Sequence, residues 1–147
     1  MLLDGVLAEH RSVTRTRLDR ALGSLEKRDW EQAAIHFDEF RRACEEHMDV
    51  EEREMFPALD ERLGERSGTA GLLADHKRFR QMTAYIAACI DLHDAEAAAF
   101  ALKRFGEQFE AHDMREEWVL FPMCERLLPP EQIAKLRAAL AHAEELH

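Results

Sequence analysis

The sequence has no Cys-x-x-Cys pair, and its three cysteines, Cys44, Cys89 and Cys124, are scattered and odd in number. A disulfide framework and a thiolate zinc site are therefore not expected, and the pattern fits buried thiols in a reducing compartment. No apolar run is long enough to span a bilayer. Met1-Leu2-Leu3-Asp4 carries no basic segment with an apolar core behind it, so no secretory signal is expected and the reading is cytoplasmic. Basic residues are in deficit, 20 Lys and Arg against 30 Asp and Glu, for a net charge of −10. That balance argues against nucleic-acid backbones and anionic membranes as partners. Period-two alternation is missing too, which leaves no signal for a strand.

What is present is helical periodicity. The 147 residues are 46% hydrophobic and 34% charged, enough for one domain with a sizeable core. Residues 3–27 read as a first helix, with Leu3, Leu7, His10, Thr14, Leu18 and Ala21 near one stripe. Lys27-Arg28-Asp29 is a polar break with Asp29 as N-cap, and a second helix follows over residues 30–63. Pro57 is expected to kink or end that helix one turn early. The stretch from Gly64 to Gly71 reads as a loop. A third helix is expected over residues 72–92, and a fourth over 95–127 behind an Asp94 cap. Leu128-Pro129-Pro130 breaks the fourth helix, and Pro130 suits the first position of a short last one, to about residue 145. Short connections between long amphipathic helices favour antiparallel neighbours. The expected fold is all-α: an up-down-up-down four-helix bundle over residues 1–128 with a C-terminal helical extension over 129–147.

The chain also repeats itself. His47-Met48-Asp49-Val50-Glu51-Glu52 runs on to Phe56-Pro57, and His112-Asp113-Met114-Arg115-Glu116-Glu117 runs on to Phe121-Pro122. The two copies lie 65 residues apart, and at that offset Ala34 meets Ala99, Phe40 meets Phe105 and Glu45 meets Glu110. A nearby offset lays Leu7-Ala8-Glu9-His10-Arg11 on Leu73-Ala74-Asp75-His76-Lys77. Each half thus has one His on a first helix and a His-x-x-x-Glu on a second.

Positions i and i+4 of a helix share a face, so each His-x-x-x-Glu can aim an imidazole and a carboxylate at one point. His10, His47, Glu51, His76, His112 and Glu116 all fall on predicted inner faces. Unpartnered polar groups are costly in a core, and a pair of metal ions would partner them. The pseudo-symmetry predicts two metals, each with two imidazoles, bridged by the two carboxylates. Imidazole with carboxylate suits iron, manganese or zinc, whereas copper prefers Cys or Met. The ferritin-like order, Glu before His at i, i+3, is not the order found here.

These residues resemble the hemerythrin-like (HHE cation-binding) domain family over residues 3–128, on its pattern of His, His-x-x-x-Glu, His, His-x-x-x-Glu or Asp. The resemblance implies a non-haem di-iron site with an oxo or hydroxo bridge, and with Glu51 and Glu116 bridging. It pairs His10 with His47 on one iron and His76 with His112 on the other. It implies binding of O2, NO or peroxide for sensing, transport or detoxification. Alternatives on the same scaffold are an enzyme, either a peroxidase or an iron donor in NO handling and iron–sulfur repair, and a non-catalytic metal-storage or interaction bundle. Oxygen carriers of the family have a fifth His one turn from the third-helix ligand. Here that neighbourhood holds Leu72 and Arg80, which leaves an open position.

Other residues draw plainer readings. His36 sits eleven residues before His47, about 16 Å along a helix, and belongs to the bundle end or the surface. His93 reads as a loop residue, and His142 and His147 as solvated tail. Asp113 follows a candidate ligand His and could serve as an orienting or extra carboxylate, but the surface is the expectation for it, as a solvated face is for Glu52 and Glu117. Cys44 reads as a core thiol. Trp118 is expected to pack against the last helix or an interface.

Overall fold

The computed structural model describes residues 4–64 and 69–145, with side chains for all of these except 4, 6–10, 144 and 145. No strand occurs among the described residues. The helices are α1 (Asp4–Glu26), α2 (Trp30–Val50), α3 (Phe56–Leu63), α4 (Ala70–Asp91), α5 (Ala95–Arg115), α6 (Phe121–Leu127) and α7 (Pro130–Glu145). Helix α1 packs on α2 and α5, and α4 packs on the same two, so α1, α2, α4 and α5 close a ring of neighbours. The short α1–α2 and α4–α5 connections make this the antiparallel bundle that the periodicity predicts. None of the described helices is long and apolar enough to cross a membrane.

The two short turns are built alike. Arg28 and His93 both adopt left-handed backbone, with φ of 54° and 57°. The aspartate that follows then caps the next helix: Asp29 accepts from the Gln32 amide at 3.2 Å, and Asp94 from the Ala97 amide at 3.1 Å. The internal repeat therefore extends to the turns. The loop before α4 begins at Gly64, whose φ of 79° suits a residue without Cβ and ends α3. Residues 65–68 of the expected loop lie outside the described residues.

Pro57 does not end its helix. The chain passes from α2 to α3 through a π-helical turn, Glu51–Met55, in which the Phe56 amide bonds back to the Glu51 carbonyl. The same happens before Pro122, where Glu116–Leu120 is a π turn and the Phe121 amide bonds to Glu116. A proline removes one donor from the helical ladder. Widening the preceding turn spreads that mismatch over five residues and lets the helix continue. Such wide turns recur at functional sites, and each of these starts on the Glu of a His-x-x-x-Glu.

The core is in two apolar clusters. One holds Leu18, Leu25, Phe37, Phe40, Cys44, Phe79, Phe105 and Phe109, among others. The second holds Val50, Met55, Phe56, Leu59, Leu120, Phe121 and Cys124, and α7 covers it with Ile133, Leu136 and Leu140. On α2 and α5 the repeated His and Glu fall between the residues of these clusters, so a polar layer separates the two halves of the core. Cys44, Cys89 and Cys124 are all buried free thiols. Trp118 does not pack against the last helix: it is 72% exposed, two residues past the buried Glu116 and so on the outer side of the bundle.

Candidate metal centre

Helix α2 contributes His47, the first π turn Glu51, α4 His76, α5 His112 and the second π turn Glu116. All five are buried, with Glu51, His76, His112 and Glu116 at 0% exposure. Glu51, His76, His112 and Glu116 each place one ligand-capable atom within 4.8 Å of the others. His47 does the same with Asp113 and Glu116. His10 lies on α1, but its side chain is outside the described residues.

The contacts within this layer leave lone pairs converging. His76 Nε2 stands 3.2 Å from His112 Nε2 and 3.1 Å from Glu51 Oε1. His112 Nε2 is 2.5 Å from Glu116 Oε1. His47 Nε2 is 3.3 Å from Glu51 Oε2 and 3.8 Å from Glu116 Oε2. Despite this proximity, neither oxygen of Glu51 or of Glu116 accepts a hydrogen bond of good geometry. Four such buried acceptors in one layer would be costly unless something positive sits among them.

The far side of two imidazoles explains which nitrogen faces inward. His76 Nδ1 donates to Glu52 Oε2 at 3.0 Å, and His112 Nδ1 donates to Asp75 Oδ2 at 3.0 Å. A carboxylate can only accept, so Nδ1 carries the proton and Nε2 presents a lone pair to the layer. This is the arrangement in which a carboxylate orients a metal-binding His and raises its basicity. Each orienting carboxylate is itself held by arginine. Arg80 donates to Glu52 at 2.6 Å and reaches Glu45 and Asp49 as well. Arg115 donates to Asp75 at 2.6 Å.

Protonation follows the same logic. Burial pushes the Glu51 carboxyl up, but the imidazoles of His47 and His76 prevail and hold it well below the usual carboxylate range. Partial burial likewise raises Glu52, and hydrogen bonds from Arg80 and His76 outweigh it. For His112 burial dominates and lowers the imidazole against the pull of Glu51 and Asp75, which favours the neutral, ligating form. Burial pushes Asp113 up to about 7, against the pull of His47.

Three sequence readings need correction. Asp113 is 2% exposed and not on a solvated face, because α1 packs against α5 and covers it. Glu52 is not merely solvated, since it bonds His76 and Arg80 across to α4. Glu117 is half-buried and pairs with Arg11 at 2.7 Å. Asp75 escaped notice because its partner His112 is 37 residues away on the neighbouring helix. Its position directly before His76, matched by Glu9 before His10, was the one available signal. The remaining described histidines stand apart from the layer. His36 is partly exposed beside Glu39, His93 stacks on Trp30 with ring centroids 4.5 Å apart, and His142 is exposed. His147 lies outside the described residues.

Arg80→Met should show what the orienting carboxylates contribute. Without the guanidinium, Glu52 loses its hold and His76 its fixed tautomer. The expected result is bound metal that a competing chelator removes about 10- to 100-fold more readily, the usual effect of losing such a partner. Arg15→Met, which breaks only an exposed pair with Glu110, should leave metal retention unchanged. Equal retention in both variants would show that Arg80 does not support the site.

A cleft of about 460 Å³ opens between α1 and α5, lined by Arg11, Arg15, Leu18, Lys103 and Phe109 and reaching Asp113. Gly106 also lines it, and a Cβ there would come within 2.7 Å of Leu18 Cδ2, so the glycine leaves room for the Leu18 side chain against α5. No curated protein and no solved structure matches the chain. The profile of the hemerythrin HHE cation-binding domain matches residues 1–124. With that match covering most of the chain, and a buried His and Glu cluster able to hold cations, the protein belongs to the hemerythrin HHE cation-binding domain family.

Proposed function

We propose that this protein holds two iron ions between Glu51 and Glu116 and there binds O2, NO or peroxide, for sensing, transport or detoxification. The observation that carries the reading is the pair of Nε2 atoms 3.2 Å apart, facing carboxylate oxygens that accept no hydrogen bond. Two donor-poor imidazoles and two anionic acceptors make no sense as a mutual hydrogen-bond network. They make sense around cations. His76 and His112 would serve one ion and His47 the other, with His10 assigned to the second through the repeat. Nitrogen and oxygen donors without thiolate suit iron, and would also accept manganese or zinc.

When bound, the metal pair supplies an open coordination position and redox electrons. The chain's own residues fix the rest. Glu52 and Asp75 hold the tautomers, and Phe56, Phe79 and Phe109 pack beside the imidazoles and keep the layer dry. The cleft that reaches Asp113 gives a small molecule a way toward the layer. Three free, buried cysteines fit a reducing, cytoplasmic setting.

The test is to load the purified protein with ferrous iron without oxygen, count the metal, and then admit air. Two irons per chain and a ferric optical band that changes on adding NO or peroxide are expected. Catalytic turnover of peroxide would make it an enzyme. A colourless protein that takes up zinc or nothing under these conditions would overturn the di-iron reading.

A further inference from the structure

We propose that Asp113 is an additional metal-binding side chain, serving the cation beside His47 and making the two halves of the centre unequal. The inference rests on the two-metal reading above and goes beyond it. Asp113 follows His112 on α5, and successive residues of a helix point about 100° apart. It therefore does not share the His112 direction and turns instead toward the α1 side, where it lines the cleft. There one oxygen of Asp113 lies within 4.8 Å of ligand-capable atoms on both His47 and Glu116. Metal bonds of about 2.1 Å allow two ligands of one ion to be up to about 4.2 Å apart. A slight contraction around an ion would bring all three into reach.

Burial and sequence support the assignment separately. Asp113 is 2% exposed, so its carboxylate faces the interior of the bundle, where His47 and Glu116 lie. Glu116, the third member of the group, has both oxygens buried and accepting no hydrogen bond. The residue equivalent to Asp113 in the first half, 65 positions earlier, is Met48, 1% exposed within the apolar cluster. At this inward position the first half carries an apolar methionine and the second a carboxylate, so the repeat changes chemical character beside the polar layer. Arg80, one turn from His76, does not restore the balance, since its guanidinium is spent on Glu45, Asp49 and Glu52. The cation near His47 thus gains an oxygen ligand, while the one near His76 and His112 keeps the open position. Exogenous ligands would bind at the latter.

Manganese(II) titration followed by electron paramagnetic resonance tests this on the wild type and on Asp113→Asn. The wild type should bind two ions. The variant, checked for folding by its helical circular dichroism, should bind one ion as before and the second at least about tenfold more weakly. Undiminished binding of both ions by the folded variant would overturn the inference. If the variant does not fold, the wild type decides the matter alone. Its diferrous form, enriched in iron-57, should give two distinct Mössbauer doublets of equal area, and a single doublet would overturn the inequality. Fewer than two ions on the wild type would instead sink the two-metal reading, an outcome distinct from equal binding in the variant.

Discussion

His112→Ala should reduce bound metal from two ions per chain to one or none, while His36→Ala should retain both. His112 stands at the centre of the layer, 2.5 Å from Glu116 and 3.2 Å from His76. Its removal takes away a donor atom and also strands Asp75, whose buried carboxylate then has only the arginines Arg115 and Arg78 to face. Loss of a group that merely orients a ligand costs about 10- to 100-fold in affinity, and loss of the ligand itself should exceed that. His36, partly exposed and 3.8 Å from Glu39, has no such role. Both variants lose an imidazole, so the comparison isolates position from chemistry. The measurement is elemental analysis after identical loading and dialysis. If His112→Ala kept as much metal as His36→Ala, the ligand assignment would be wrong. His47→Ala provides a second reading: on the proposed two-iron site it should spare the ion assigned to His76 and His112 and leave close to one metal per chain.

The bundle could be read from the sequence because its signals are local. Apolar spacing, the Asp29 and Asp94 caps and the break at Leu128-Pro129-Pro130 each act within one helix or turn, and all recur in the structure. The duplicated His-x-x-x-Glu was legible for the same reason, since both residues lie on one helix a turn apart. What could not be read was anything that crosses between helices. Glu52 serves His76 from 24 residues away and Asp75 serves His112 from 37. Spacing along one helix says nothing about such pairs, and an acidic residue beside another acidic residue looks solvated. Asp113 can be read either as an extra carboxylate or as a surface residue, and the surface is favoured because α5 is buried on two sides, by α4 and by α1, of which a single stripe of apolar residues shows one. Pro57 leaves two alternatives open, a kink or an end, and the helix goes on to Leu63 through a wide turn that the proline rule does not include; the same turn precedes Pro122 in the second copy. For His10 the repeat remains the argument.

Chelation should lower the melting temperature of the loaded protein by about 10 °C or more. An ion present at a thousand times its dissociation constant stabilises the folded state by about 4 kcal/mol. In a chain of this length 1 kcal/mol moves the melting point by about 2–4 °C. Two ions at that saturation would together be worth about twice as much, and the shift should grow with free metal concentration, as mass action requires. The polar layer gives a reason for the coupling. It lies between two apolar clusters that do not merge, so once the ions leave, the aromatic rings beside the imidazoles are the apolar contacts left at the centre of the bundle. The carboxylate oxygens of Glu51 and Glu116 then remain buried without hydrogen bonds. Opposing this, the imidazoles of His47 and His76 still attract Glu51, and α7 still seals the far cluster. The apo protein should therefore stay helical at room temperature and melt earlier, not unfold outright. A scan by circular dichroism before and after chelation, with metal removal verified on the same sample, distinguishes the cases. An unchanged melt would mean that apolar packing alone sets the stability and that the polar layer tolerates its own vacancy at no cost, which four unbonded buried oxygens make hard to arrange.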